Sequence, residues 1–246
     1  MVRLKEDERI DYATKDQTIK IIQSETVFSF SLDAVLLANF TYVPIKRGNI
    51  LDLGTGNGII PLLLSRKTSA KITGIEIQQR LADMAKRSMM LNHLTEQIDI
   101  IQHDLTQLQS LLPQSHFDVI TCNPPYFATP ASTEHNKNDY LTIARHEVCC
   151  TLEDVIQACK RYVRPGGKVS FVHRPERLID LLTLFRNYRL EPKRLRFIYP
   201  KIGKNANMVL LEGVRDGKAG LKLLPPLYIY QADDTYTDEA RAIIYE

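Results

Sequence analysis

Apolar residues along this chain alternate between two patterns: short runs of five or six, and stretches with a three-to-four spacing. The short runs fall at residues 49–53, 71–76, 97–102, 117–122, 168–173, 194–199 and 208–214, and they read as strands. Helical patterns lie between them. Residues 59–67 form one, with Pro61 tolerated in its first turn. Leu81, Met84, Ala85, Ser88 and Met89 mark a second. Residues 151–163 and 177–188 mark two more, the former ended by Arg164-Pro165-Gly166-Gly167. Strands alternating with helices predict an α/β fold: a doubly wound, mostly parallel seven-stranded sheet with helices on both faces. Ahead of it, weak alternation over residues 18–22 and 27–30 predicts a small N-terminal hairpin. Ser31 then caps a helix over residues 32–42, with Asp33 in its first turn.

Composition fits that picture and narrows it. The chain has 246 residues, 44% apolar and 25% charged, as expected of one large α/β domain. We expect a single domain over 1–246, with an extension over 1–45 and a Rossmann-like core over 46–246. No apolar run approaches the roughly 18 residues of a membrane span. Residues 1–8 alternate charges without an apolar stretch, so no signal peptide is expected and a cytoplasmic location is. Cys122, Cys149, Cys150 and Cys159 form no CxxC pair, and adding His146 gives no zinc spacing; no metal is expected. Net charge is +3, unevenly spread. Residues 151–222 hold 16 Lys and Arg against 7 Asp and Glu, a balance of +9, which leaves −6 for the rest. An anionic partner at the C-terminal half accounts for this, and so do ordinary solvated helix faces.

Two motifs stand at predicted strand ends, about 70 residues apart: Asp52-Leu53-Gly54-Thr55-Gly56-Asn57-Gly58, and Asn123-Pro124-Pro125-Tyr126. In doubly wound sheets ligands bind outside the carboxyl ends of the strands. The glycines follow G-x-G-x-G, whereas a dinucleotide fingerprint wants G-x-G-x-x-G, and position 59 is Ile. Glu76 ends the next strand, where a carboxylate can accept both ribose hydroxyls of an adenosine. Asp52 offers its charge to a cationic amino group. No pyrophosphate needs cradling, so the set suits S-adenosyl-L-methionine better than a dinucleotide. Asp104 follows the third strand, placed either to accept from an adenine amino group or to cap the helical stretch after it.

The second motif suits methylation of a planar nitrogen. Such a nitrogen is a poor nucleophile because its lone pair is delocalised. Acceptors at its N–H groups favour pyramidal geometry and draw off positive charge as the methyl arrives. The Asn123 side-chain oxygen is one acceptor, and the Pro124 carbonyl, stiffened by its ring, is a second. Tyr126 offers a flat face to a flipped base. Rate then comes from alignment and electrostatic placement, without a covalent intermediate.

These motifs resemble those of class I S-adenosylmethionine-dependent methyltransferases that act on amines. More narrowly, residues 10–245 resemble the bacterial tRNA(Val) adenine-N6 methyltransferases. The resemblance rests on the two motifs, on Phe28-Ser29-Phe30-Ser31-Leu32-Asp33-Ala34-Val35-Leu36-Leu37-Ala38, on Ala144-Arg145-His146-Glu147, and on Pro192-Lys193-Arg194-Leu195-Arg196. It implies N6-methylation of the adenine just 3′ of the anticodon. It also implies a cofactor site of Asp52, Gly54, Thr55, Gly56, Glu76, Asp104 and Asn123.

For the substrate, Arg145 and His146 lie in a long polar loop after Tyr126, which can fold over the acceptor; an Arg145–Glu147 ion pair is the competing use. Lys193, Arg194 and Arg196, with Lys201 and Lys204, can track phosphates, or form a solvated face. A tRNA partner and a monomer are expected. The alternative is a protein glutamine N5-methyltransferase of the release-factor type, whose amide needs the same chemistry. The basic half favours RNA, and residues 1–45 leave little room for the separate helical domain such enzymes usually carry. A third reading, a non-catalytic RNA-binding module, leaves Asn123 and Tyr126 without a purpose.

Overall fold

The computed structural model describes residues 2–27, 30–124, 126 and 150–245. A hairpin comes first, β1 (Glu8–Tyr12) against β2 (Lys20–Ser24), followed by helix α1 (Leu32–Phe40). Then strands and helices alternate: β3 (Asn49–Leu53), α2 (Ile59–Ser65), β4 (Lys71–Glu76), α3 (Gln79–Leu91), β5 (Ile98–Gln102) and β6 (Phe117–Cys122). After the undescribed stretch come α4 (Leu152–Tyr162), β7 (Val163–His173), α5 (Leu178–Asn187), β8 (Leu190–Tyr199) and β9 (Met208–Arg215). The last elements are β10 (Lys222–Leu223), β11 (Leu227–Tyr228) and α6 (Asp238–Tyr245).

The seven long core strands lie in the order β5-β4-β3-β6-β7-β9-β8. The first five are parallel, and β9 runs antiparallel to both of its neighbours. Strands β10 and β11, two residues each, add to the β8 edge, too short for any periodicity to reveal. Because side chains alternate across a strand, the two faces receive different sets. Ile50, Val119 and Val172 pack with α1, α2, α3 and α6, whereas Leu51, Ile120 and Phe171 pack with α4 and α5. Helix α4 starts at a reciprocal cap: the Thr151 hydroxyl accepts the Asp154 N–H, and the Asp154 carboxylate accepts the Thr151 N–H.

The ends of α1 to α5 fall within two residues of the sequence reading, which has no counterpart for α6. Strands β7 and β8 begin earlier than expected, at Val163 and Leu190. Both early portions contain proline and carry register shifts, so breakers in the sequence sit at irregularities that the sheet absorbs. The hairpin differs more. Its second strand is the expected one, but its partner is Glu8–Tyr12, not residues 27–30, of which Phe28 and Ser29 lie outside the described residues. The β1 sequence, Glu-Arg-Ile-Asp-Tyr, gives no apolar signal because its one buried residue is Glu8.

That buried carboxylate is matched by α3. Arg87 donates to both Glu8 oxygens, at 2.6 and 2.7 Å, and also to Asp83 at 2.8 Å. The Arg87 guanidinium holds the Glu8 carboxyl below its ordinary range despite its burial. From β2, the Ile22 N–H donates to Ser88 Oγ, and Lys20 and Asn92 exchange two hydrogen bonds. Glu8→Ala leaves the partly buried Arg87 guanidinium with fewer partners. We expect it to cost about 2 kcal/mol and to raise amide exchange in β1 and β2, read by hydrogen-exchange mass spectrometry. Wild-type exchange in the hairpin would show that the pair does not hold it.

Candidate active site

Strands β3, β4, β5 and β6 run in parallel and end on one side, where a cleft of about 1000 Å³, counted to its open mouth, is found. Gly54, Thr55 and Gly56 line it after β3, Glu76 and Gln78 at the end of β4, Asp104 after β5, and Asn123 and Pro124 after β6.

The glycine loop has two different reasons for its glycines. Gly54 and Gly56 have φ of +67° and +57°, and a Cβ on either would meet nothing within 4 Å. Their backbone thus takes a left-handed form that other residues resist, with clear space in front. Gly58, at φ +88°, starts α2, and a Cβ there would lie 2.6 Å from Met89 Cε of α3. Asn57 Nδ2 donates to the Ile22 carbonyl at 3.3 Å, tying the loop to the hairpin.

Glu76 is buried, and its oxygens are partly used. Oε2 accepts the Gly56 N–H at 2.8 Å and Oε1 the Gln78 N–H at 2.9 Å. Burial pushes its carboxyl above the ordinary value, with these N–H groups opposing. Asp52 does not line the cleft. It lies within β3, fully buried, and Oδ1 accepts the Thr121 hydroxyl at 2.6 Å while Oδ2 has no partner among the described residues. Burial pushes it from 3.8 to about 7, and the neighbouring Glu76 adds to the rise. Asp104 does both things its sequence position allows. Its Oδ1 caps the turn after β5, accepting the Thr106 N–H and hydroxyl at 2.8 Å each, and the residue lines the cleft.

After β6, Asn123 and Pro124 line the cleft, whereas Tyr126 is not among its lining residues. Its hydroxyl contacts Asn123 Oδ1 at 2.6 Å and Asp33 Oδ2. The Arg174 guanidinium lies over its ring, 5.0 Å from the centroid, and the His173 ring is tilted 5.5 Å away. The expected free stacking face is therefore partly covered. Pro125, Arg145 and His146 lie outside the described residues.

The basic segment does not gather at this cleft. Lys193, Arg194 and Arg196 lie on β8, which β9 and β7 separate from β6. Arg194 donates to the buried Glu212 at 3.1 Å and covers the Phe40 ring at 4.6 Å. Arg196 pairs with Glu239, and Lys193 donates to the Lys218 carbonyl. Their carboxylate partners are 18 and 43 residues downstream, so the local sequence reads as a free basic stripe. Lys201 and Lys204 differ in place: β8 runs parallel to β7, which puts the loop after it on the cleft side.

Other lining residues gave little sign of themselves in the sequence. Ser31 holds the N-cap position of α1 but makes no side-chain cap bond; its Oγ is buried with no partner among the described residues, and the residue lines the cleft. Gln78 Oε1 likewise has no partner among the described residues. Among the described residues no group of three or more His, Cys, Asp or Glu could hold a metal ion, and no helix is long and apolar enough to cross a membrane.

Known proteins share this architecture. A predicted O-methyltransferase from Agrobacterium tumefaciens matches with a TM-score of 0.67 at 23% identity, over 86% of this chain and 94% of that one. Geranyl diphosphate C-methyltransferase from Streptomyces coelicolor A3(2), solved with S-adenosyl-L-homocysteine, matches with a TM-score of 0.55 at 12% identity, over 74% and 79%. The fold is that of the class I methyltransferases. The family described as Methyltransferase small domain matches residues 18–197, and the chain belongs to it. Relatives named tRNA1(Val) (adenine(37)-N6)-methyltransferase include one from Porphyromonas gingivalis, 32% identical over 66% of this chain and 64% of its own length. Another, from Aeromonas hydrophila, is 28% identical over 84% of each. The match thus spans just under two thirds of the Porphyromonas relative.

The residues present fit an adenosine-bearing cation. Unpartnered buried oxygens border the cleft, the loop glycines leave room before them, and two carboxyls are held back from ionising by burial. The Asp52 shift has a sign. A carboxyl raised in the fold costs stability as pH climbs from its unfolded value, near 4, to about 7. Relative to wild type, Asp52→Asn should therefore gain stability across that window, by a total on the order of a few kcal/mol, and then level off. Urea melts of the ligand-free protein at stepped pH measure this; a constant difference would mean that Asp52 ionises normally.

Proposed function

We propose that this chain is a single-domain S-adenosyl-L-methionine-dependent N6-methyltransferase of a tRNA adenine, the one just 3′ of the anticodon of tRNA(Val), working as a cytoplasmic monomer. The observation that carries this reading is one cleft shared by the Gly54–Gly56 turn, Glu76, and the Asn123-Pro124 turn. The bound cofactor supplies a sulfonium methyl group to the acceptor nitrogen.

The chain's residues bind and orient. Each Glu76 oxygen spends one lone pair on a backbone N–H and keeps one for a ribose hydroxyl. Asp104 uses Oδ1 for its cap, leaving Oδ2 for an adenine amino group. The buried charge of Asp52 favours the cationic side of the ligand. Asn123 Oδ1 and the Pro124 carbonyl accept from the two N–H bonds of the target amine and hold its lone pair toward the methyl group. A base stacking on Tyr126 takes the face away from Arg174 or displaces that guanidinium, a contact worth about 0.5–2 kcal/mol. We place Lys201 and Lys204, on the cleft side, against RNA phosphates. The family name borne by the relatives and the +9 balance of residues 151–222 support RNA over a protein amide.

Labelled methyl transfer to unmodified tRNA, set beside purified release factor, tests the substrate class; transfer to release factor alone would reject RNA. Asn123→Ala should slow transfer about a hundredfold or more while cofactor affinity stays near normal. Glu76→Ala should do the opposite and weaken cofactor binding by roughly 1–3 kcal/mol. Replacing Lys201 and Lys204 with alanine should lower tRNA affinity and reduce the log–log salt slope by about 0.9 for each phosphate no longer neutralised. Unchanged binding at low and moderate salt would move the RNA elsewhere.

A further inference from the structure

A tyrosine hydroxyl has one proton to give. The Tyr126 hydroxyl faces two acceptor oxygens, Asp33 Oδ2 and Asn123 Oδ1, the latter at 2.6 Å. It cannot donate to both. An ionised Asp33 can only accept, whereas a half-turn of the Asn123 amide exchanges its oxygen for its NH2 group. The carboxylate is also the stronger acceptor of the two. The arrangement that satisfies every group therefore sends the Tyr126 proton to Asp33 and has Asn123 Nδ2 donate to the phenolic oxygen. Asn123 Oδ1 then faces away from Tyr126, into the cleft that Asn123 lines.

We infer that Asp33, on α1, is a positioning residue for the amine acceptor: through Tyr126 it sets which end of the Asn123 amide meets the substrate. The inference rests on the proposed role of Asn123 as acceptor. Without Asp33, the phenol proton goes to Asn123 Oδ1. The amide then turns its NH2 group to the cleft, and two donors confront each other where the target amine arrives. Other contacts keep the phenol in place. Arg174 covers the Tyr126 ring and is itself held by the Asn207 carbonyl at 2.8 Å. Burial and the Asp33 charge both raise the Tyr126 hydroxyl well above its usual range, so it keeps the proton it donates. Asp33 lies 93 residues before Tyr126, outside both sequence motifs.

The test is a double-mutant cycle with Asp33→Ala, Tyr126→Phe and both together, measuring single-turnover methyl transfer to unmodified tRNA, KM for tRNA, cofactor Kd and melting temperature. Asp33→Ala should slow the methyl-transfer step about tenfold with KM and Kd nearly unchanged. In the already slowed Tyr126→Phe background it should add almost nothing, because the phenol that transmits its effect is gone. Asp33→Asn, whose amide oxygen can still take the phenol proton, should recover much of the rate. Equal losses in both backgrounds would overturn the inference, as would a loss confined to cofactor Kd or melting temperature, or no loss. Asn123→Ala run in parallel separates the levels. If it is slow and Asp33→Ala is normal, only the positioning role fails. If Asn123→Ala itself is near normal, the reading of the acceptor fails first.

Discussion

Glu76 accepts the Gly56 N–H through one oxygen and the Gln78 N–H through the other, so a single buried carboxylate joins the turn after β3 to the end of β4. Most of the site depends on that junction. Gly56 meets the carboxylate in a left-handed form, with open space where a Cβ would stand. The loop's far end is fixed by α3, which leaves no room for a side chain at Gly58, and its side by the Asn57 bond to the hairpin. A buried carboxylate is costly unless hydrogen-bonded, and here the bonds come from the turns that it shapes.

The same region gathers two acids, Glu76 and the deeper Asp52, with no cation among their hydrogen-bond partners in the described residues. Neither would be favoured by stability alone, since burial penalises the charge of each. Such a pair makes physical sense where a positively charged ligand completes it. Buried oxygens of Ser31, Asp52 and Gln78, without partners among the described residues, also lie in or beside this region.

Much of this was legible in the chain. Asn49–Leu53, Lys71–Glu76 and Phe117–Cys122 are short apolar runs buried on both faces, and the glycines and Asn123 stand at their ends. What escaped reading depended on partners distant in sequence. Arg194 and Arg196 look like a free basic stripe until Glu212 and Glu239 are placed beside them. Glu8 looks like part of a solvated terminus until Arg87 is found over it. Ser31 reads as a helix cap, and only the fold shows its hydroxyl aimed elsewhere. For Arg194, Arg196 and Glu8 the partner that determines the use of the charge lies 18, 43 and 79 residues away.

The hairpin's attachments carry a consequence for biosynthesis. Its anchors are Arg87, Ser88 and Asn92, 66 to 79 residues beyond the groups that they hold. An isolated two-stranded hairpin is barely stable in water. At translation rates of about 5–20 residues per second, the nascent hairpin waits roughly 3–16 seconds for α3 to be made. Its buried pair, Ile21 and Ile22, has no lasting cover in that interval. The hairpin is thus synthesised well before the helix on which it docks.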